Sequence, residues 1–331
     1  MKKIFITGGA GYVGSKMAPY FLNKGYKVTV YDIMYFTDNF LPKNDNNLKI
    51  ISGDIRDTEK LKASCEDHDY FIHLACISND ASFELDENLS KTINYDCFES
   101  LVLAAKEKRI KRFIYASTSS VYGVSSSDNV KEDHPLVPLT FYNDFKGRCE
   151  PILLKHTDDN FKGVIFRPAT VCGYAPRQRL DLTVNILSNF AFNKGFIKVF
   201  GGDQMRPNLH IDDYIEAVDI FINAPIEKVE NQIFNVGFQN YTVRDLAKIV
   251  SNTIKKENNN DIEIIFEKSD DNRSYHINSD KIKEALDFKP KRSIEDAIIE
   301  LTKAMQDGLL PNSFDDDIYF NVKRLKSIKA L

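Results

Sequence analysis

The sequence lacks the features that mark membrane-spanning, nucleic-acid-binding and fibrous proteins. No apolar run approaches the roughly 18 residues that a bilayer-spanning helix needs. The 44 Lys and Arg residues are balanced by 48 Asp and Glu residues, so there is no basic excess to bind nucleic acid or anionic lipid. The 15 Gly and 11 Pro residues in a chain of 331 are too few for a fibrous or disordered protein.

Cysteine is also scarce, and its arrangement argues against two further classes of protein. The five cysteines are odd in number and include no Cys-x-x-Cys pair, which indicates neither a disulfide framework nor a zinc site. We therefore expect free thiols and no bound metal. The glycines from Gly8 onward end the first apolar stretch too early for a secretory signal. Together these observations favour a cytoplasmic enzyme.

Short β-branched or aromatic runs alternate with helical patterns along the first two-thirds of the chain. The predicted strands are Lys3–Thr7, Lys27–Tyr31, Lys49–Ser52, Tyr70–Leu74, Arg112–Ser117 and Gly163–Arg167. The predicted helices are Ser15–Lys24, Thr58–Cys65, Thr92–Lys108 and Tyr142–His156. Because such alternation is typical of βαβ units, the sequence predicts an α/β fold with a doubly wound parallel sheet.

The pattern changes in the C-terminal part of the sequence. A long helical pattern at Leu182–Phe192 precedes a strand at Ile197–Phe200, and the alternating strand Gln232–Val236 is expected to return to the first sheet. Variants of the capping box, with Asp in place of Glu, predict helix starts at Thr242–Asp245 and Ser293–Asp296.

These patterns predict two domains with a discontinuous boundary. Residues 1–173, together with about 207–239, are expected to form the larger domain. Residues 174–206 and 240–331 are expected to form a smaller mixed α/β domain. The polar tail after Pro311 is expected to be loosely held.

A glycine-rich segment directly follows the first predicted strand and opens a helix. Glycines in Thr7–Gly14 (TGGAGYVG) allow a tight turn and a close approach to a pyrophosphate, whose charge the helix N-terminus would meet. Asp32 ends the second strand, where a carboxylate can accept both hydroxyls of an adenosine ribose and would repel a 2′-phosphate. No Lys or Arg occurs in Ile33–Asn39, so the sequence favours NAD over NADP.

Tyr142 and Lys146 lie at positions i and i+4 of a predicted helix and therefore share one face. A nearby ammonium and a positive nicotinamide ring would both favour phenolate, lowering a pKa that is ordinarily about 10. Such a tyrosine could take the proton of a sugar hydroxyl as hydride leaves the same carbon. Alone, the pair could be two exposed side chains without a catalytic role. Together with the glycine loop, Asp32 and the hydroxyls of Ser117–Ser120, it indicates a catalytic site.

The sequence resembles the extended short-chain dehydrogenases/reductases, in particular the NAD-dependent nucleotide-sugar epimerase/dehydratase family. The matching segments are Thr7–Gly14, Asp32, Gly53–Ile55, His73–Ala75, Ile93–Asn94, Ser117–Gly123 (STSSVYG), Tyr142–Lys146, Arg167–Pro168, Gly201–Asp213 (GGDQMRPNLHIDD) and Phe234–Gly237. The resemblance implies a Rossmann-type domain for NAD and a C-terminal domain for a nucleoside-diphosphate sugar. It also implies a homodimer built from two helices per subunit.

The same resemblance implies roles for individual residues. Thr118 matches the catalytic Ser/Thr, Tyr142 the acid/base, and Lys146 the lysine that grips the nicotinamide ribose. The residues expected to bind the cofactor are Gly8, Gly11, Tyr12, Val13, Gly14, Asp32, Asp54, Ile55, Leu74, Ala75, Asn94, Ser117, Tyr142, Lys146 and Pro168. Those expected to bind the substrate are Ser119, Ser120, Thr170, Arg177, Arg179, Arg206 and Arg273.

Two departures from the family pattern bear on the reaction. Ser119 and Ser120 stand where the dehydratases have Asp-Glu, which argues against 4,6-dehydration. Thr170 stands where the family often has Asn. The stretch that holds Arg177 and Arg179 resembles a subgroup from surface-polysaccharide pathways, although it could equally be a solvated linker.

Three functions remain open on the sequence alone. The first is a nucleotide-sugar epimerase with a recycled NAD, acting through a transient keto-sugar in surface-polysaccharide biosynthesis. The second is a net dehydrogenase or ketoreductase on a similar substrate, such as a GDP-linked heptose or deoxysugar. The third, a non-catalytic NAD sensor, fits less well because a sensor needs no acid/base. His73 is expected to be a core residue, and His210 to make a structural hydrogen bond.

Overall fold

The computed structural model describes residues 1–127, 129–258, 261–268 and 274–330. Within these ranges the strands are β1 (Lys3–Thr7), β2 (Lys27–Asp32), β3 (Leu48–Ser52), β4 (Tyr70–His73), β5 (Arg112–Ala116), β6 (Lys162–Pro168), β7 (Thr170–Cys172), β8 (Phe196–Phe200), β9 (Met205–His210), β10 (Gln232–Val236), β11 (Gln239–Thr242) and β12 (Glu263–Glu267).

The helices of the same residues alternate with these strands in the first half of the chain. They are α1 (Tyr12–Asn23), α2 (Thr58–Ser64), α3 (Asp80–Phe83), α4 (Glu87–Lys91), α5 (Phe98–Glu107), α6 (Phe141–Lys155), α7 (Thr183–Lys194), α8 (Ile211–Asn223), α9 (Ile226–Val229), α10 (Val243–Asn258), α11 (Asp280–Leu286), α12 (Ile294–Gln306) and α13 (Asn321–Ser327). None of the described helices is both long enough and apolar enough to cross a bilayer.

The central sheet of the described residues is parallel, in the order β10-β6-β5-β4-β1-β2-β3. Its strands carry apolar side chains on both faces, and one core lies against α1 and α8 while the other lies against α2, α5 and α6. The prediction of a Rossmann-type doubly wound sheet is confirmed. Strand order changes direction between β1 and β4, and the crevice at the carboxyl ends of these strands is where such sheets bind ligands.

The strand predicted to return to the first sheet does so. β10 pairs in parallel with β6, and Phe234 lies opposite Phe166 in this register. By contrast, the helix predicted over Thr92–Lys108 begins with a π-helical turn at Thr92–Asp96 before it continues as α5. Apolar periodicity does not distinguish a π turn from an α turn, so the sequence pattern merged the two elements.

The C-terminal part of the chain packs around a core of its own. β11, β9 and β7 form one small sheet and β12 pairs with β8, while α7, α10 and α12 enclose an apolar cluster. The capping box at Ser293–Asp296 is complete. At Thr242–Asp245 the hydroxyl of Thr242 accepts the Asp245 N–H at 3.1 Å and donates to the Asp245 carboxylate at 2.7 Å.

The expectation of a loosely held tail is wrong. Asn321 and Leu325 of α13 are buried, and Leu325 belongs to the core that β1 and β5 share with α5. The Asn321 N–H donates to Asp181 at 3.1 Å, and Arg324 Nε donates to the Tyr35 carbonyl at 2.8 Å. Polar residues of the tail thus find partners on distant loops, which its composition alone does not reveal.

Candidate active site

The carboxyl ends of the central strands open into one cavity of about 700 Å³. Residues that follow β1, β4, β5 and β6 line it, in agreement with the position of the strand-order change. The sequence-predicted residues among its walls are Gly8, Gly11, Tyr12, Val13, Gly14, Asp32, Asp54, Ile55, Leu74, Ala75, Ser117, Thr118, Ser119, Ser120, Tyr142, Lys146, Pro168, Thr170, Arg177, Arg179 and Arg206. Arg273 lies outside the described residues.

The glycine loop after β1 has two positions that only glycine can occupy. Gly8 has a φ of +76°, and a Cβ there would lie 2.6 Å from the Ala75 nitrogen. A Cβ on Gly14 would lie 2.5 Å from the Gly9 carbonyl carbon. Gly11 stands at the N-cap of α1 and makes no side-chain cap, so the helix amides are open to an anion. The loop therefore fits the pyrophosphate of a dinucleotide.

Asp32 stands at the end of β2 beside this loop. Its carboxylate accepts the N–H of Ala10 at 3.0 Å and that of Met34 at 2.9 Å. Burial raises the pKa of the Asp32 carboxyl, and these two N–H groups oppose the rise. The fixed carboxylate fits the hydroxyls of an adenosine ribose.

Asp54 borders the same end of the cavity, next to Ile55. Burial alone would raise the pKa of Asp54, but hydrogen bonds from Arg56 outweigh burial and hold that pKa below its ordinary value. The Arg56 Nε lies 3.0 Å from both carboxylate oxygens of Asp54. Asp54 is therefore an anion at the cavity edge.

Hydroxyl groups form a connected row where β5 ends. Thr118 Oγ1 and Ser120 Oγ are 2.8 Å apart, and Ser120 Oγ in turn donates to Asn143 Oδ1 on α6. Thr118 also caps the short 3₁₀ turn Ser119–Tyr122 by accepting the Ser120 N–H. Thr118 lines the same cavity as Tyr142 and Lys146, and the row fixes its hydroxyl against Ser120.

Lys146 is buried on α6, and its position is set by β5. Its Nζ donates to the Ala116 carbonyl and lies 4.7 Å from the centroid of the Tyr115 ring. α6 begins beside Thr140, whose hydroxyl accepts the Asn143 N–H at 3.4 Å. Tyr142, in the first turn, lines the same cavity.

The pKa of Tyr142 differs from the sequence-based expectation. Burial raises the pKa of this phenol well above its ordinary value, and Cys76 and Asp80 raise it further. The strongest charge that opposes this rise is that of Arg179, whereas the helical spacing suggested Lys146. Lys146 directs its ammonium to the Ala116 carbonyl, so sharing a helix face did not identify the cation with the strongest effect on the phenol.

A buried ion pair that the sequence analysis missed supports this end of the site. Glu150 accepts hydrogen bonds from Arg167 Nε at 3.0 Å and from Arg167 Nη2 at 2.6 Å. The Ser117 hydroxyl donates to the same carboxylate at 2.6 Å. Arg167 also donates to the Tyr122 hydroxyl at 2.6 Å. Glu150 follows Lys146 by one helical turn, and this spacing was the sequence signal that Glu150 also lies on the side of α6 that faces the site.

The opposite end of the cavity is lined by the C-terminal part of the chain. Arg206 donates to the Met205 carbonyl at 2.9 Å and lies 5.4 Å from the centroid of the Tyr275 ring. Lys198 and Gln204 also line this end and were missed by the sequence analysis. The alternation of apolar and charged residues in Ile197-Lys198-Val199 was the sequence signal that could have found it, and in β8 Lys198 is indeed exposed between buried neighbours.

Arg177 and Arg179 are both buried, which contradicts the alternative that their segment is a solvated linker. Arg179 pairs with Asp181 at 2.9 Å and donates to the Ser78 hydroxyl at 3.1 Å. Arg177 lies beside the glycine loop, because its N–H donates to Ser15 Oγ on α1 at 3.1 Å. Arg177 is therefore near the end of the cavity that fits the dinucleotide, although it was expected to meet the substrate.

Asn94 does not contact the cavity as the resemblance implied. Its Oδ1 accepts the Ile77 N–H at 2.8 Å, and its Nδ2 donates to the Ile77 carbonyl at 2.9 Å. The side-chain amide matches both backbone groups of one residue, so Asn94 holds the loop after β4 from behind. Ile77 itself lines the cavity.

The two histidines singled out in the sequence have structural contacts. Burial lowers the pKa of His73 to about 3, so the ring is neutral, and its Nδ1 lies 2.7 Å from Thr7 Oγ1. The Nδ1 of His210 accepts the Asp212 N–H at 3.1 Å, as predicted. His210, Asp212 and Glu300 cluster, and Lys16 Nζ lies 2.8 Å from Asp212 and 3.7 Å from Glu300, so an ammonium already pairs with both carboxylates.

Known proteins resemble this chain over most of its length. The low-salt glycan biosynthesis protein Agl12 of Haloferax volcanii is 26% identical over 304 residues, which cover 89% of this chain and 96% of that protein. The dTDP-D-glucose 4,6-dehydratase of Homo sapiens is 28% identical over 307 residues, covering 88% of this chain and 86% of the human protein.

A solved structure agrees closely with the fold. UDP-glucuronic acid 4-epimerase from Bacillus cereus, in complex with UDP-glucuronic acid and NAD, superimposes with a TM-score of 0.81 at 26% identity, covering 92% of this chain and 99% of that chain. Residues 4–237 match the family described as NAD-dependent epimerase/dehydratase. NAD is therefore the cofactor, and the glycine loop and Asp32 fit it. The family resemblance noted in the sequence is confirmed: the chain belongs to the NAD-dependent epimerase/dehydratase family.

Proposed function

We propose that this protein is a nucleotide-sugar epimerase that acts through a transient keto-sugar. The observation that supports this most strongly is that Thr118, Tyr142 and Lys146 line one cavity together with the glycine loop and Arg206. One cavity thus combines an acid/base group, a loop that fits a dinucleotide and a cation suited to a diphosphate. The nucleoside-diphosphate sugar as substrate is part of the proposal.

NAD, when bound, supplies a reversible hydride acceptor for the sugar carbon. In our proposal Tyr142 removes the proton of the hydroxyl on that carbon and returns it at the end of the cycle. The Thr118 hydroxyl, which contacts Ser120 Oγ in the free protein, turns its hydrogen to the reacting oxygen when the substrate binds. Lys146 holds the nicotinamide ribose, and Thr170 and Arg206 hold the substrate. The keto-sugar turns within the cavity between the two proton transfers.

We propose that the chain does not catalyse 4,6-dehydration, although a human relative is named for that reaction. Expelling water requires a group that can donate a proton to the leaving hydroxyl. Ser119 is buried, and Ser120 donates its hydroxyl hydrogen to Asn143 while contacting Thr118. A serine hydroxyl is a far weaker acid than the carboxyl group expected at these positions in a dehydratase.

The glycan-pathway name of the Haloferax volcanii relative supports a role in surface-polysaccharide biosynthesis. A net dehydrogenase or ketoreductase would use the same Tyr142 chemistry but would exchange its electrons with a second substrate. A sensor of NAD would bind the cofactor without turnover. These two alternatives differ from epimerisation in the mass and the amount of the product.

The decisive experiment is mass spectrometry of GDP-, UDP-, dTDP- and CDP-sugars, including UDP-glucuronic acid, incubated with purified protein and no added cofactor. An epimerase gives a product of unchanged mass and shifted retention in catalytic amount. A product that differs by two hydrogens would contradict the proposal in favour of a net oxidoreductase. Loss of water or of carbon dioxide would contradict it in favour of a lyase, and no product from any sugar would favour the sensor.

A further inference from the structure

The C-terminal tail contributes to the cavity wall at the end that fits the dinucleotide. Asn321 and Leu325 of α13 both line the cavity and are both buried. We propose that α13 completes the NAD site by closing its adenosine half, and that it holds the buried Arg177 against the pyrophosphate of NAD. The inference rests on the use of NAD by the family and is independent of which sugar reaction follows.

Three separate loops around the cavity are tied to α13. The Asn321 Nδ2 donates to the Ser78 hydroxyl at 2.9 Å on the loop after β4, and the Asn321 N–H donates to Asp181 at 3.1 Å. Arg324 Nε donates to the Tyr35 carbonyl at 2.8 Å on the loop after β2. Because these loops follow different elements, α13 connects three separate parts of the cavity surroundings.

Arg177 is the charged residue that this arrangement positions. Its Nη2 donates to Asn321 Oδ1 at 2.7 Å, and its guanidinium lies 3.7 Å from the centroid of the Phe36 ring. Arg177 is only 2% exposed, yet its Nε has no hydrogen-bond partner among the described residues. A buried donor without a partner is costly unless a ligand uses it.

Burial lowers the pKa of Arg177 to about 9, with Arg179 acting in the same direction and Asp181 and Asp32 opposing. The guanidinium therefore remains a cation at neutral pH. Its backbone N–H contacts Ser15 near the start of α1, where the helix amides also favour an anion. A dinucleotide pyrophosphate is the anion that satisfies both features.

Leu325 gives α13 an apolar contribution to the same site. It lines the cavity together with Ile55 and Tyr35. Asp54 and Ile55 are the residues that are expected to contact the adenine of NAD. Release of NAD on this side of the cavity would require α13 to move away from its three loops. We therefore expect the cofactor to remain bound between turnovers.

The test uses the full chain and no sugar. The variants are Arg177→Gln, Arg177→Lys, Asn321→Ala and Leu325→Ala, with Leu246→Ala as a control because Leu246 is an equally buried leucine in α10. The ligands are NAD, NADP, ADP-ribose and adenosine, the last of which lacks a pyrophosphate. Binding is measured by calorimetry, dissociation by chase, and folding by circular dichroism.

We expect Arg177→Gln to raise the Kd of NAD and ADP-ribose about tenfold or more, since a charge-assisted hydrogen bond is lost, and to leave that of adenosine within about twofold. Arg177→Lys should recover part of the loss. Asn321→Ala and Leu325→Ala should speed NAD dissociation about tenfold, whereas Leu246→Ala should not change it.

Folded Asn321→Ala and Leu325→Ala variants with unchanged dissociation rates would overturn the role of α13. A folded Arg177→Gln or Arg177→Lys variant that weakens NADP but not NAD would show that Arg177 serves a 2′-phosphate instead. If Arg177→Gln does not fold, Asn321→Ala, which removes the partner of Arg177, decides the same point through the Kd of ADP-ribose. Because no sugar is present, these outcomes do not depend on the proposed epimerase activity.

Discussion

At the scale of single residues, the protonation of Tyr142 depends on its surroundings more than on its helix. Burial raises the pKa of the phenol and Arg179 lowers it. A raised pKa means that phenolate forms only as pH increases, so we expect kcat/KM to rise with pH. Arg179→Gln removes the opposing charge and should move the rising limb to higher pH, while Arg179→Lys should move it less. A pH profile of sugar turnover checks this, and an unshifted limb in Arg179→Gln would contradict it.

The phenol itself is tested by Tyr142→Phe. This change keeps the ring and removes the proton-transfer group, so turnover should fall about 10²–10⁴-fold. The NAD content measured after gel filtration should remain that of the parent chain, because the glycine loop and Asp32 are untouched. Unchanged turnover would remove Tyr142 from the mechanism.

The Glu150–Arg167 ion pair is a second residue-scale feature with a large expected effect. Both side chains are 3% exposed. Glu150→Gln leaves the buried Arg167 charge uncompensated, so the free energy of unfolding should fall by about 3–5 kcal/mol. Denaturant unfolding measures this. The exposed pair of Lys111 and Asp69 is the control, and Lys111→Ala should cost about 0–1 kcal/mol; equal losses in the two variants would refute the expectation.

At the scale of elements, the turn between β1 and α1 demands glycine for reasons of both conformation and space. Gly8→Ala must accept a φ of +76° and place a Cβ against the Ala75 backbone. We expect it to lose measurable NAD binding by calorimetry and to lower the melting temperature.

Gly25 provides a matched control for this change. Its φ is +82°, but nothing lies within 4 Å of an added Cβ. Gly25→Ala therefore carries only the conformational cost of about 1–2 kcal/mol and should bind NAD normally. Equal effects of the two substitutions on NAD binding would show that conformation, and not the close approach to Ala75, governs the loop.

The alternating elements could be predicted because their signals are local. Strands β1, β2 and β4 agree with the predicted positions to within a residue, and the helix start at Ser293 agrees because its capping box is contained in four residues. The π turn at Thr92–Asp96 could not be predicted, because a π-helical turn is rare and too short for residue periodicity to mark it.

At the scale of the whole molecule, exposed apolar side chains on α5 and α6 offer a surface for the homodimer that the family resemblance implies, and we propose that it is the interface. Leu103 on α5 is 45% exposed and Phe141 at the start of α6 is 54% exposed. We expect Leu103→Asp to convert a dimer into monomers by placing charges in an apolar interface. Light scattering coupled to gel filtration checks this. Leu309→Asp, at an equally exposed leucine outside these helices, should leave the mass unchanged, and a dimeric Leu103→Asp would exclude this surface as the interface.

The sequence by itself determined the doubly wound fold, the glycine loop, Asp32 and the Tyr142–Lys146 spacing. Each of these depends on residues within one element or one turn, where periodicity and backbone geometry act directly.

Only the tertiary structure decided which distant groups meet. Arg177 is 144 positions away from Asn321, yet the two share a hydrogen bond beside the glycine loop. Asn94 supports the loop after β4, and Arg179 acts on Tyr142, although neither relation has a local signal. The physical reason is that burial and electrostatic partners depend on the order of the strands in the sheet and on where the C-terminal tail packs. Residue spacing within one element carries no information about either.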